Sequence, residues 1–234
     1  MHLLIDIGNT SAKLAVTNSG EIVHFERLSE SWGNAFTRLT KAYSIDSIRL
    51  SSVAGEDAEL DAALNSLSVP VLRLTYETPC CISNVPIGFG ADRLAADIGA
   101  YQQSQGRTTL VIDAGTCITY DIISRDGSII GGAISPGVQL RLKAMHEHTA
   151  LLPLFEAEAT APVVGTDTKS AMLSAAVNGP KFEIEGYIRF LQKQYPDLCV
   201  YITGGNSFDF SDDITCSIVH DTYLVLKGLD FIQF

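Results

Sequence analysis

The sequence predicts an α/β fold of two similar lobes with a cleft between them. Three observations carry that prediction. Two short apolar strands each run into an Asp-x-Gly turn, at Asp6-Ile7-Gly8 and Asp113-Ala114-Gly115, about a hundred residues apart. Each is followed by a second apolar run and a polar turn into a third strand, so a β-β-β-α unit is repeated. Helical spacing then alternates with further strand-like runs along the rest of the chain.

In the first repeat, His2 to Ile7 and Ala12 to Val16 form a hairpin, and Asn18-Ser19-Gly20-Glu21 turns into the third strand. Ser31 to Tyr43 places Trp32, Ala35, Phe36, Leu39 and Tyr43 on one helical face. Ile48 to Val53 and Val69 to Leu74 are strands, separated by a helix over Asp57 to Leu67 that carries Leu60, Ala63, Leu64 and Leu67. Asp92 to Gln103 is a helix whose first residue is acidic, favourable at the positive end of the macrodipole.

In the second repeat, Thr109 to Ile112 and Cys117 to Ile123 form the hairpin. Ser124-Arg125-Asp126-Gly127 turns into a strand over Ser128 to Ile134. Pro136 is expected to open a helix that runs through Met145. Thr168 to Val177 is expected to be a helix stopped by Asn178-Gly179, with Pro180 to Tyr195 a separate one. Leu198 to Ile202 is a buried strand ahead of Thr203-Gly204-Gly205-Asn206, and Tyr223 to Phe231 the last helix. The lobes divide near Gln105-Gly106, giving 1–105 and 106–234.

Composition narrows the function. At 234 residues and 46% hydrophobic content the chain is long and apolar enough for two cores. A net charge of −11 argues against a nucleic-acid partner, which needs a basic face. It does not exclude ATP, because backbone N–H groups and a metal ion neutralise phosphates locally. No apolar run is long enough to span a bilayer, and the start Met1-His2-Leu3-Leu4-Ile5-Asp6 has no basic leader. Cys80, Cys81, Cys117, Cys199 and Cys216 are odd in number without CxxC spacing, which indicates neither a disulfide framework nor a zinc site. The expectation is a cytoplasmic protein without membrane contact.

At the first strand end, Gly8 lets backbone amides approach a phosphate, and Asn9 and Thr10 add side-chain donors. Asp6 can hold Mg²⁺ through water, and Lys13 either adds charge or is simply solvated. Asp113 and Thr116 offer a second carboxylate and hydroxyl facing the first across the cleft. Thr203-Gly204-Gly205 suits a nucleotide's adenosine or α-phosphate. Any one of these reads equally as a turn; three in this order point to a split-lobe nucleotide site. Gly90-Ala91-Asp92-Arg93 stands between the repeats at a helix start. Asp92 there is either a capping residue or a base for an attacking hydroxyl, and Arg93 either solvated or paired with a substrate carboxylate.

The arrangement resembles the ribonuclease H-like superfamily of sugar kinases, acetate kinase, heat-shock cognate chaperones and actin. Over essentially the whole chain it is similar to the type III pantothenate kinases. That match rests on Asp6-Ile7-Gly8-Asn9-Thr10, Gly90-Ala91-Asp92-Arg93, Asp113-Ala114-Gly115-Thr116, Gly131 to Gly137, Thr149 to Pro153, Gly165 with Thr168, and Thr203-Gly204-Gly205. The resemblance implies phosphorylation of pantothenate by ATP to 4′-phosphopantothenate, the first committed step toward coenzyme A. It implies ATP binding by Asp6, Ile7, Gly8, Asn9, Thr10, Ser11, Ala12, Lys13 and Thr116, with Mg²⁺ accompanying ATP. Gly90, Ala91, Asp92 and Arg93 would bind pantothenate, with Asp92 as catalytic base. Asp113 would hold potassium or ammonium, and Thr168 would reach pantothenate from the second subunit of a homodimer.

Two positions depart from the family. Ser83 stands where a Tyr is common, so the contact falls to Ser83 itself, Asn84 or Tyr76; Asn206-Ser207 replaces an Ala-type residue. His146-Glu147-His148 is not read as a metal site, since two His at i and i+2 on a helix diverge. The competing functions are a non-catalytic regulatory member of this fold and a kinase for another small hydroxylated substrate.

Overall fold

Apolar side chains at every second position make the first strands, and the partners they bury against fix the layers. The computed structural model describes residues 1–205 and 213–233; Asn206, Ser207 and Asp212 lie outside them. The chain forms two units: Met1–Gly106 with Asp126–Ile129 and Tyr223–Phe234, and Arg107–Arg125 with Ile130–Thr222.

The first unit holds β1 (His2–Ile7), β2 (Ala12–Asn18), β3 (Glu21–Arg27), β4 (Ser47–Ser52) and β5 (Val71–Arg73) in one sheet of order β3-β2-β1-β4-β5. The β1–β2–β3 ladder is antiparallel, and β1, β4 and β5 are parallel. Leu3, Ile5, Ile7, Leu14, Val16, Ile48 and Leu50 face helices α1 (Trp32–Ala42) and α2 (Ala58–Asn65), burying Trp32, Phe36, Leu39, Leu60 and Leu64. Ser31 caps α1, and Asp57 caps α2 at Leu60 N, 3.0 Å, while accepting from Trp32 Nε1 at 2.9 Å. The alternate positions, Asp6, Lys13, Arg49 and Ser51 among them, point to the opposite face by strand alternation. That face is covered by α3 (Ala91–Gln103) and α7 (Leu224–Phe231). Arg49 and Thr17 reach Asp230 of α7, at 3.5 and 2.7 Å.

The second unit repeats the topology. Its strands β6 (Thr109–Ala114), β7 (Cys117–Ile123), β8 (Ile129–Pro136), β9 (Cys199–Gly204) and β10 (Ser217–His220) run in the order β10-β9-β6-β7-β8. Strand for strand this is the order of the first sheet, with the hairpin antiparallel and β6, β9 and β10 parallel. The expected duplication of a ribonuclease H-like α/β unit is therefore present. Leu110, Ile112, Ile118, Tyr120, Leu198, Val200 and Ile202 bury Ile184, Ile188 and Leu191 of α6 (Gly179–Gln194). A smaller cluster of Leu142, Met172, Leu173 and Ala176 joins α4 (Val138–Glu147) to α5 (Thr168–Leu173).

Two local expectations need correction, and one strand was not expected. Pro136 ends β8 instead of opening a helix; Gly137 is the N-cap and α4 begins at Val138. Asn178-Gly179 does not stop the helix, because Ser174–Asn178 is a π-helical turn that carries α5 into α6 with Gly179 at φ −54°. The wider turn re-registers the hydrogen bonds ahead of Pro180, which has no N–H to give. Strand β10, which no periodic apolar run announced, completes the second sheet.

Candidate active site

One row of the first sheet carries the candidate phosphate-side residues Asp6 and Lys13, with Ser51 beside them. Asp6 is paired with Lys13 across the antiparallel β1–β2 ladder and with Ser51 across the parallel β1–β4 ladder. Directly opposed residues point to the same face, so three polar side chains converge. Lys13 Nζ donates to Asp6 Oδ2 at 3.0 Å, and Ser51 Oγ donates to Asp6 Oδ1 at 2.9 Å. Asp6 is 3% exposed and Ser51 fully buried. Beyond Asp6 the chain enters a short loop in which Gly8 N–H donates to Ser11 O at 3.1 Å, leaving Asn9 and Thr10 exposed. Ile7 is buried in the core with the α1 and α2 residues, and Ala12 O accepts from Leu28 N–H at 2.9 Å.

The Gly90-Ala91-Asp92-Arg93 element forms the first turn of α3, with Gly90 as N-cap. Asp92 is half-buried, and its Oδ1 accepts from Arg93 N–H at 2.8 Å. A Cβ at position 90 would lie 2.7 Å from Asp92 Oδ1, so glycine leaves the carboxylate its place. Burial pushes the Asp92 carboxyl upward from its ordinary proton affinity, the Arg93 N–H pulls it back, and the charge of Asp6 adds to the rise. Asp6 and Asp92 are thus brought within electrostatic reach of each other, on one face of the sheet. The Arg93 guanidinium lies 4.2 Å from the centroid of the Phe89 ring, a cation–π contact that orients it. Ala91 is buried in the same turn.

In the second unit, Asp113 is half-buried near the end of β6, directly opposite Thr119 on β7 and Thr203 on β9. Thr116 is exposed in the turn that follows; its carbonyl accepts from Gly137 N–H at 2.9 Å. Gly204 runs against that strand end with φ +96°, where a Cβ would meet Ala114 O at 2.5 Å, so only glycine fits. Behind it, Tyr120 Oη donates to Glu183 at 3.0 Å, and Arg141 bridges Glu183 at 2.5 Å and Pro136 O at 2.7 Å. Thr168 is the exposed first residue of α5, capped by Asp167 and Ser170.

Ser83 is exposed, and its backbone pairs with Gly127 and Ile129, at 2.9 and 3.0 Å. Its neighbour Asn84 adopts φ 54° and donates to Ser128 Oγ, while Tyr76 is half-buried. Asp6, the 8–13 loop, Ser83 and Gly90 to Arg93 belong to the first unit; Asp113, Thr116 and Thr168 belong to the second. Ser51 escaped the sequence reading. Its signal was the alternation Ser47-Ile48-Arg49-Leu50-Ser51, polar residues recurring in a strand otherwise buried. Among the described residues no cluster of three His, Cys, Asp or Glu side chains is placed to hold a metal. No described helix is long and apolar enough to cross a membrane.

Solved structures with this fold bear out the class. A protein described as a 2-dehydro-3-deoxygalactonokinase from Sinorhizobium meliloti superposes with a TM-score of 0.60 at 13% identity, covering 98% of this chain and 95% of its own. One described as a Baf family transcriptional activator from Campylobacter jejuni superposes with a TM-score of 0.59 at 24% identity, covering 98% and 96%. Two repeated sheets, each ending a strand in Asp-x-Gly, define the sugar-kinase and actin-like fold class. Within it, residues 2–190 match the family model for type III pantothenate kinase. The type III pantothenate kinase of Phocaeicola vulgatus is 40% identical over 233 residues, spanning 98% of this chain and 96% of that protein. The chain belongs to the type III pantothenate kinase family.

Proposed function

We propose that this chain transfers the terminal phosphate of ATP to the primary hydroxyl of pantothenate, opening the route to coenzyme A. The observation that carries the reading is Asp92: a half-buried carboxylate at a helix start, with raised proton affinity and the Arg93 guanidinium next to it in sequence, held over Phe89. A primary alcohol is a poor nucleophile, and a base of raised proton affinity takes its proton more readily as transfer proceeds. Arg93, oriented over Phe89, suits the pantothenate carboxylate. Gly90 and Ala91 shape the turn; Ser83 and Thr168 complete the acceptor side, Thr168 from the second subunit of a homodimer.

The Gly8–Ser11 loop, with Asp6, Lys13 and Thr116, serves the ATP phosphates. Both Asp6 oxygens already accept a hydrogen bond, which fits a contact to Mg²⁺ through water and not direct ligation. Mg²⁺, when bound with ATP, neutralises charge on the phosphates. Asp113, half-buried at a strand end with Thr119 and Thr203 directly opposite it, is the carboxylate we assign to potassium or ammonium. The setting is the cytoplasm, where pantothenate and ATP meet.

The test is ADP release by the purified chain with pantothenate present and absent, in potassium buffer. Pantothenate-dependent release is expected. A chain that binds ATP but releases no ADP on pantothenate is instead a regulatory member of the fold, and release with a different hydroxylated compound reassigns the acceptor.

A further inference from the structure

Asp6 is held from two sides by unlike partners. Lys13 carries its charge on a flexible four-carbon stem, and its side chain is 32% exposed. Ser51 is fully buried, and its Cβ is fixed by strand pairing on β4 directly opposite Asp6. A triphosphate arriving at the Gly8–Ser11 loop attracts the Lys13 ammonium toward its own negative charge. Lys13 can follow it; Ser51 cannot. A carboxylate turns easily about its last torsion, and at 3% exposure water cannot replace a lost donor.

We infer that Ser51 is a positioning residue of the phosphate site, the fixed donor that keeps the Asp6 carboxylate oriented while Lys13 turns to the nucleotide. The inference rests on assigning the Gly8–Ser11 loop to ATP. It differs from a purely structural role, in which Ser51 satisfies a buried carboxylate and its loss lowers stability without favouring either substrate.

The experiment uses the full chain as wild type, Ser51→Ala, Ser51→Cys and Ser51→Thr. Cysteine keeps the shape but donates weakly, while threonine keeps the hydroxyl. Binding of a Mg²⁺-loaded non-hydrolysable ATP analogue is measured by calorimetry, alongside kcat and KM for each substrate and a thermal melt. We expect the alanine and cysteine variants to lose about tenfold in analogue affinity and in kcat/KM for ATP. KM for pantothenate should stay within about twofold of wild type, and threonine should restore ATP binding. A folded alanine variant with wild-type analogue affinity and kcat/KM overturns the inference, as do equal losses toward both substrates. Should alanine fail to fold, the near-isosteric cysteine variant is judged by the same criteria. Wild type that binds the analogue yet ignores pantothenate refutes the proposed acceptor, while the binding comparison still decides the role of Ser51.

Discussion

Replacing Asp92 by asparagine separates catalysis from stability at one position. Asparagine keeps an oxygen to accept from Arg93 N–H, now at 2.8 Å, and fits the space that Gly90 leaves. It removes the proton acceptor, and loss of a general base costs about two to four orders of magnitude in kcat, or roughly 3–5 kcal/mol of barrier. The folded proton affinity of Asp92 is raised, so at neutral pH its ionised form opposes folding. The Asp92 contribution is fully present below the unfolded pKa and is lost as pH rises through the folded one. Asp92→Asn should therefore be as stable as wild type or slightly more so at neutral pH, by up to about 1 kcal/mol, a rise of about 2–4 °C in Tm. The gain should vanish in acid, where Asp92 is protonated anyway. Wild-type turnover should fall as pH drops through the raised pKa, because the base must be ionised. Steady-state ADP release across pH and melts at neutral and acid pH check both halves. Turnover within tenfold of wild type would refute Asp92 as base; a large loss of Tm would refute the account of its charge.

Dialysis from potassium into sodium should lower turnover severalfold and leave the melt unchanged, measured by ADP release; undiminished rates remove Asp113 from a cation role. Gly228→Ala places a Cβ 1.7 Å from Ala95 O where α7 crosses α3, so it should cost about 3 kcal/mol or more in denaturant unfolding. Wild-type stability there would show that α7 is free to move off α3.

The strands and helices that fill each core were legible because burial imposes period on sequence: Leu3, Ile5 and Ile7 alternate, and Trp32, Phe36 and Leu39 recur at helical spacing. The motif residues were legible from their order: one Asp-x-Gly reads equally as a turn, but two of them about a hundred residues apart, with Gly90-Ala91-Asp92-Arg93 between, do not. What escaped depends on distant partners. Pro136 stays in β8 because an edge strand needs no N–H at every position, which local sequence does not reveal. The π turn at Ser174–Asn178 reconciles two helices with Pro180, and nothing within it announces the extra residue. Residues 126–129 and the helix from Leu224 return to the first unit, a matter of tertiary contact alone. Ser51 gains its role from the residue opposite it on another strand, as Lys13 does.

The duplication makes one comparison quantitative. In the first sheet the row through the motif aspartate reads Lys13, Asp6, Ser51; in the second it reads Thr119, Asp113, Thr203. The row geometry is repeated, with Thr119 at the position that Lys13 holds in the first row. Lys13 demonstrates that a lysine directly opposite on the hairpin reaches the carboxylate, at 3.0 Å. A lysine at position 119 would place a side-chain ammonium opposite the carboxylate assigned to potassium or ammonium, as Lys13 stands opposite Asp6. Thr119→Lys should then supply that charge in place of the ion, so turnover in sodium should approach the wild-type rate in potassium. The rate of ADP release in matched sodium and potassium buffers reads this out, with a melt to verify folding. A folded Thr119→Lys enzyme that still requires potassium, or that is inactive in both salts, breaks the link between the unequal rows and the cation.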